Sequence, residues 1–199
     1  MTAITLCDPK QFSFDVESHT YRDAGGNAVP SVTTIIGAHW PINKSFYTNP
    51  GNTDRGTDMH DLTAMLEREE VTMADIPPVY KEPCAAWMEF LSSTGWDALA
   101  IEAPFICPSG YAGTIDRIYM GHNGPILVDL KTGAKAKWHA VQLAAYSLAV
   151  EELVDLKIGG HAIAHIDMTK NTVKLSTIDV TNAMAAWKGL MTWQKLKGR

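Results

Sequence analysis

The chain reads as an α/β protein with a central mixed β-sheet flanked by helices. Three observations predict this. Residues 96–130 carry closely spaced strand patterns around the turn Gly121-His-Asn-Gly124, while the segments before and after have helical periodicity. Ile126, Leu127 and Val128 form a continuous apolar run, as expected of a strand buried on both faces. The element order (helices, sheet, helix, strands, helix) suits one sheet covered on both sides.

Each element has a local cause. Phe12–Val16 and Thr20–Asp23 alternate like strands, and Ala24-Gly-Gly-Asn27 is a loose turn signal. Ser31 caps a helix whose buried stripe is Val32, Ile35 and Ile36. Asn43–Asn52 reads as a loop. Thr53 or Asp54 then caps a helix to about Glu70, with Met59, Leu62, Met65 and Leu66 inward. Pro77-Pro78 breaks the chain before a helix over Tyr80–Thr94, with Ala85, Met88 and Leu91 at helical spacing and Gly95 ending it. Strands follow at Trp96–Glu102, Ala103–Cys107, Tyr111–Met120 and Pro125–Leu130. A helix spans Trp138–Glu152, with Val141, Ala145 and Leu148 inward. His161–Met168 and Thr172–Ile178 form a hairpin, and Asp179 or Thr181 caps a closing helix to about Lys197. The length of 199 residues suits one domain, an N-terminal hairpin and helices over 1–95 leading into a core over 96–199.

Composition narrows the function. No run of eighteen apolar residues exists, so no transmembrane span or membrane partner is expected. The first ten residues lack a signal pattern, making the cytoplasm the expected location. Cys7, Cys84 and Cys107 are scattered without a C-x-x-C, which excludes a four-cysteine iron–sulfur cluster, a cysteine zinc site and a disulfide framework. A net charge of -5 means that nucleic-acid binding must use a local basic patch.

Chemistry concentrates in Gly113-Thr-Ile-Asp116 and, beyond the hairpin turn, Asp129-Leu-Lys131. Asp129 and Lys131 are two apart on a strand and share a face, and the hairpin can bring Asp116 beside them. Carboxylates that close repel unless a cation lies between them, and a lysine there can orient or activate water. That is equipment for metal-assisted phosphodiester hydrolysis. Plain alternatives are an exposed strand pair and a surface salt bridge, but the apolar run before Asp129 places it on a buried strand, where charges need partners. Gln142 and Tyr146 are four apart on one helix face. Lys135, Lys137 and Trp138 suit a single strand, with phosphates on the lysines and a base on the indole. Arg55, Arg117 and Lys44 could extend the basic patch. The histidines other than His60 match no motif.

These motifs, in order, resemble the PD-(D/E)XK nuclease superfamily in its RecB-like exonuclease branch. The matching residues are His60 in Arg55-Gly-Thr-Asp-Met-His60, then Gly113-Thr-Ile-Asp116, Asp129-Leu-Lys-Thr-Gly133 and Gln142-Leu-Ala-Ala-Tyr146. Pro30-Ser-Val-Thr-Thr-Ile-Ile36 ahead of Arg55 is similar to mitochondrial genome maintenance exonucleases and phage relatives. The "PD" pair itself is replaced by Thr114-Ile115 ahead of Asp116. The resemblance implies a restriction-endonuclease-like core and one or two Mg²⁺ or Mn²⁺ ions on His60, Glu102, Asp116, Asp129 and the carbonyl of Leu130. It implies that Lys131 serves the attacking water, that Gln142 and Tyr146 support the lysine and contact DNA, and that no iron–sulfur cluster is bound. The implied activity is exonucleolytic, preferring single-stranded DNA with a free end, in phage or bacterial recombination, repair or replication. It also implies a single-strand annealing or binding protein as a companion and, if the gene belongs to a phage, the host's cytoplasm as the location. The alternatives are an inactive DNA-binding or recombination accessory module, and a double-strand-specific exonuclease or endonuclease.

Overall fold

The computed structural model describes residues 4–8, 12–15, 18, 20–40 and 50–197, with no side-chain description at 50–54. Lys44 and the expected loop up to residue 49 lie outside the described residues, while the rest of that loop and the expected caps Thr53 and Asp54 fall inside a helix that already begins at Pro50.

A small antiparallel sheet comes first, of β1 (Phe12–Asp15), β2 (Thr20–Asp23) and β3 (Ala28–Val29), in that order. The turn before β3 is held by Asp23, whose carboxylate accepts from the amides of Gly25 and Asn27. Gly26 takes φ 78 there, a conformation open to glycine without strain. Helix α1 (Val32–Gly37) starts as its sequence predicts: Ser31 Oγ accepts from Thr34 N at 3.1 Å, and Val32, Ile35 and Ile36 are buried.

Helices α2 (Pro50–Glu67) and α3 (Pro78–Thr94) precede the main sheet, α3 ending on Gly95 at φ 63. The main sheet has the order β4 (Asp97–Cys107), β5 (Tyr111–Gly121), β6 (Gly124–Lys131), β7 (Gly160–Asp167), β8 (Thr172–Thr177). Only the β6–β7 pair is parallel, and α4 (His139–Val154) connects these two strands. Helix α5 (Thr181–Lys197) closes the chain, with Asp179 accepting from the Thr181 amide ahead of it.

Two cores lie against the sheet. Leu127 and Ile115 join α1, α4 and α5 in one, while Val128 and Leu130 join α2 and α3 in the other. The apolar run of β6 is thus divided between two buried faces, which explains its lack of polar alternation. The expected break between Glu102 and Ala103 is absent: β4 runs through, with a register shift between Ala98 and Ala100. Glu102 itself sits at φ 42, an unusual conformation for a residue with a side chain. Among the described residues no helix is long and apolar enough to cross a membrane.

Candidate active site

The site lies where β4, β5 and the end of β6 meet α2. The β4–β5 ladder pairs Ile101 with Arg117 and Ala103 with Ile115, so Glu102 falls opposite Asp116. On α2, His60, Thr63 and Glu67 follow one another at i, i+3 and i+7 and form one stripe facing these strands. His60 Nδ1 is 3.3 Å from Glu102 Oε1 and 3.7 Å from Asp116 Oδ1. Its Nε2 is 3.2 Å from the carbonyl oxygen of Leu130. The same Leu130 peptide donates its N–H to Asp116 Oδ2 at 2.7 Å. One peptide of β6 thereby fixes both the imidazole and the carboxylate.

Asp129 and Lys131 do share a face. Lys131 Nζ is 2.7 Å from Asp129 Oδ2, and Asp129 is only 1% exposed. Asp129 Oδ1 has no hydrogen-bond partner among the described residues. A buried carboxylate oxygen left in that state is expensive unless something else meets it.

On the other side of the motif, Gln142 Nε2 donates to Tyr146 Oη at 3.0 Å, both residues being buried in α4. Their helix explains Gly113. A methyl group there would lie 2.9 Å from a Tyr146 ring carbon and 3.0 Å from Phe105, so only glycine lets the two rings close over β5. The G-x-x-D and Q-x-x-x-Y motifs are therefore two halves of one packing arrangement.

Electrostatics mark the cluster as strained. Burial, reinforced by Asp129 and Glu102, pushes the Asp116 carboxyl up to about 6 against the pull of His60. Burial alone would lower His60, but the carboxylates of Asp116 and Glu102 outweigh it and raise the imidazole. Burial works to raise Glu102 too, and there His60 and Arg117 win, holding it below the usual carboxylate range. The Tyr146 phenol is raised by burial and by Asp116 and Asp129, which keeps it a neutral donor.

Arg117 does not belong to a DNA-facing patch, contrary to the sequence-based expectation. It is fully buried beneath the cluster. Its Nε is 2.7 Å from Glu67 Oε1, its Nη1 is 2.7 Å from Glu102 Oε1, and its Nη2 donates to Thr63 Oγ1 at 3.0 Å. Glu67 is completed by Trp87 Nε1 and Tyr119 Oη. Neighbouring residues of a strand face opposite ways, so Asp116 turned one way forces Arg117 the other. Burial tends to lower the guanidinium's pKa, but Glu67 and Glu102 raise it further above its ordinary value.

The remaining expected DNA contacts are dispersed. Arg55, Lys135 and Lys137 are exposed. Trp138 stands at the N-cap of α4, its ring 4.3 Å from that of His139 and edge-on to it. Sequence reasoning missed Glu67 and Thr63, although their spacing from His60 was visible. It also left His139 without a place beside the site. Burial, then the nearby Lys131 charge, lowers that imidazole to about 4.

The donor set fits a hard divalent ion. One ligand atom each from His60, Glu102 and Asp116 lie within 4.8 Å of one another. Asp129 is outside that trio, its Oδ2 held by Lys131. Carboxylate oxygens with one imidazole suit Mg²⁺ and, better, Mn²⁺.

The sequence pattern of the PD-(D/E)XK nuclease superfamily matches residues 82–188. The chain belongs to the PD-(D/E)XK nuclease superfamily. A comparison with curated proteins gives no match. In this nuclease the matched span holds Glu102, Asp116, Asp129, Lys131, Gln142 and Tyr146. His60 lies before it, and its place in the site rests on the geometry alone. Superfamily members use divalent metals, in accord with the His–Glu–Asp cluster.

Proposed function

We propose that this nuclease is a deoxyribonuclease, a metal-dependent exonuclease of the RecB-like branch. It degrades DNA from a free end, preferring a single strand, within phage or bacterial recombination, repair or replication. The observation that carries the catalytic part is the meeting, around the Leu130 peptide, of the His60–Glu102–Asp116 trio with the Asp129–Lys131 pair.

His60, Glu102 and Asp116 would hold the divalent ion, with the Leu130 carbonyl and Asp129 Oδ1 beside them. Bound there, the ion supplies Lewis acidity that stabilises charge on the phosphoryl oxygens. Lys131, anchored by Asp129, donates hydrogen bonds and so positions the attacking water. Arg117 acts through Glu102: it holds that carboxylate charged and fixed while its own positive charge is neutralised by Glu67. Glu102 keeps an unfavourable backbone of about 1–3 kcal/mol, sustained by its contacts with Arg117 and His60. Gln142 and Tyr146 close the opposite wall and present neutral donors. The single-strand preference draws on the exposed Lys135 and Lys137 beside Trp138.

The test is digestion of end-labelled single- and double-stranded DNA, with free and blocked ends, in Mg²⁺ or Mn²⁺. Cleavage that needs metal and a free single-stranded end supports the proposal. Cutting of closed single-stranded circles, or faster digestion of blunt duplex, overturns the substrate assignment.

A further inference from the structure

The catalytic lysine begins a row that runs to the edge of the main sheet. The β6–β7 ladder pairs Lys131 with His165, and the β7–β8 ladder pairs His165 with Lys174. Paired residues share a face, so the three stand in line on the side of α4. Val173 and Leu175 pack into the opposite core, which confirms that Lys174 and Ser176 face the α4 side.

The segment between β6 and α4 lies across this row. His165 Nε2 donates to the Gly133 carbonyl at 2.6 Å, and Lys135 Nζ donates to Ser176 Oγ at 3.0 Å. Lys135 is thereby drawn to within two residues of Lys174 on the same strand face. Lys135, Lys137 and Lys174 are all exposed. Asp167, two residues beyond His165 on the same strand face, has one carboxylate oxygen on the amides of Thr169 and Lys170 and the other 3.7 Å from Lys170 Nζ, so its charge is matched locally by Lys170. In a chain of net charge -5 this places cations from the active site to the sheet edge.

We propose that this row is a phosphate track, in which the backbone of the substrate strand leaves Lys131 and crosses the β8 edge over Lys135 and Lys174. His165 is a positioning residue that fastens the 132–138 segment to β7. The proposal rests on the nuclease reading and adds the direction in which the strand runs. An edge-strand lysine alone can serve merely to discourage edge-to-edge pairing. Its alignment with Lys131 through two ladders is what distinguishes a track.

The experiment measures the affinity of the full chain for a fluorescein-labelled oligothymidylate, in chelator so that it is not cut, across a series of salt concentrations. Each phosphate contact on a single strand contributes about 0.7 to the slope of log affinity against log salt. Lys174→Gln should lower the slope by about that amount, equivalent to about fivefold weaker binding at 0.1 M salt. Lys135→Gln should do the same, and Lys157→Gln, in the connection that enters the opposite end of β7, should change nothing. His165→Ala should weaken binding, with recovery in His165→Gln, which keeps a donor for Gly133. An unchanged slope in Lys174→Gln, or an equal loss in Lys157→Gln, overturns the track. Metal-dependent cleavage by the wild type is scored alongside. Cleavage with an unchanged slope removes the track and leaves the nuclease reading standing, whereas a wild type that neither binds nor cuts DNA removes both.

Discussion

Two charged clusters flank β5, and they differ in completeness. Beneath the strand, Arg117 is matched by Glu67, Glu102 and Thr63, and Glu67 by Trp87 and Tyr119. Above it, Glu102, Asp116 and Asp129 face one lysine and an imidazole, and a carboxylate oxygen of Asp129 is unmet among the described residues. A satisfied buried network holds a fold together, and removing a member destabilises it. A cluster with surplus negative charge is strained until a cation arrives. Adjacent residues of one strand, Asp116 and Arg117, thus serve opposite purposes.

The comparison breaks most visibly in activity. Asp129→Ala or Lys131→Ala should reduce DNA cleavage on the order of a thousandfold, about 4 kcal/mol of transition-state stabilisation, with the circular dichroism spectrum unchanged. Near-normal turnover by either folded variant would remove both residues from the chemistry.

Beneath the strand, the same kind of change should fall on stability. Arg117→Met leaves the buried Glu67 carboxylate without its partner and should lower the unfolding free energy by about 3–5 kcal/mol in denaturant titration. Glu67→Gln added to that variant should recover part of the loss. A stable Arg117→Met protein would mean that the network is not structural.

Acidity separates the clusters next. Asp116 has a folded pKa of about 6 against an ordinary 3.8, so its contribution is fully present below the lower value and lost as pH rises through the upper one. His60, also raised, acts in the same direction. Glu102 is lowered, so its contribution is present above 4.5 and lost on further acidification. Through Asp116 the metal-free protein should therefore lose about 3 kcal/mol as pH rises from about 4 to about 6, with little further loss above that. Melting temperatures in chelator across this range check the sign. Asp116→Asn should flatten that loss.

A smaller effect concerns the imidazole. His60→Ala should weaken Mn²⁺-supported cleavage more than Mg²⁺-supported cleavage, since nitrogen ligation favours the transition ion. Equal losses with both ions would leave His60 with only its contacts to Glu102 and Leu130.

Much of this was readable in the sequence, for local reasons. Ser31 announced its helix, and the Gly121–Gly124 turn set the register that delivers Asp116 to the Leu130 amide. Asp129 and Lys131 needed only strand alternation. Arg117 was misread because its partner Glu67 is fifty residues upstream on a helix, and no local pattern distinguishes a buried arginine from an exposed one. Glu102 was placed by spacing, but its positive φ goes with contacts to His60 on α2 and Arg117 on β5, which no local pattern shows. The row from Lys131 to Lys174 was hidden for a similar reason, since it needs two ladders at once.

The upper cluster should be incomplete until a divalent ion binds. Isothermal titration of Mn²⁺ into the chelator-stripped protein near pH 7.5 tests it, with thermal unfolding on the same samples. Saturable binding that raises the melting temperature, and that is lost in Asp116→Asn while persisting in the distant control Lys157→Gln, is the predicted result. No binding heat and no thermal shift in the wild type would mean that the cluster holds no ion.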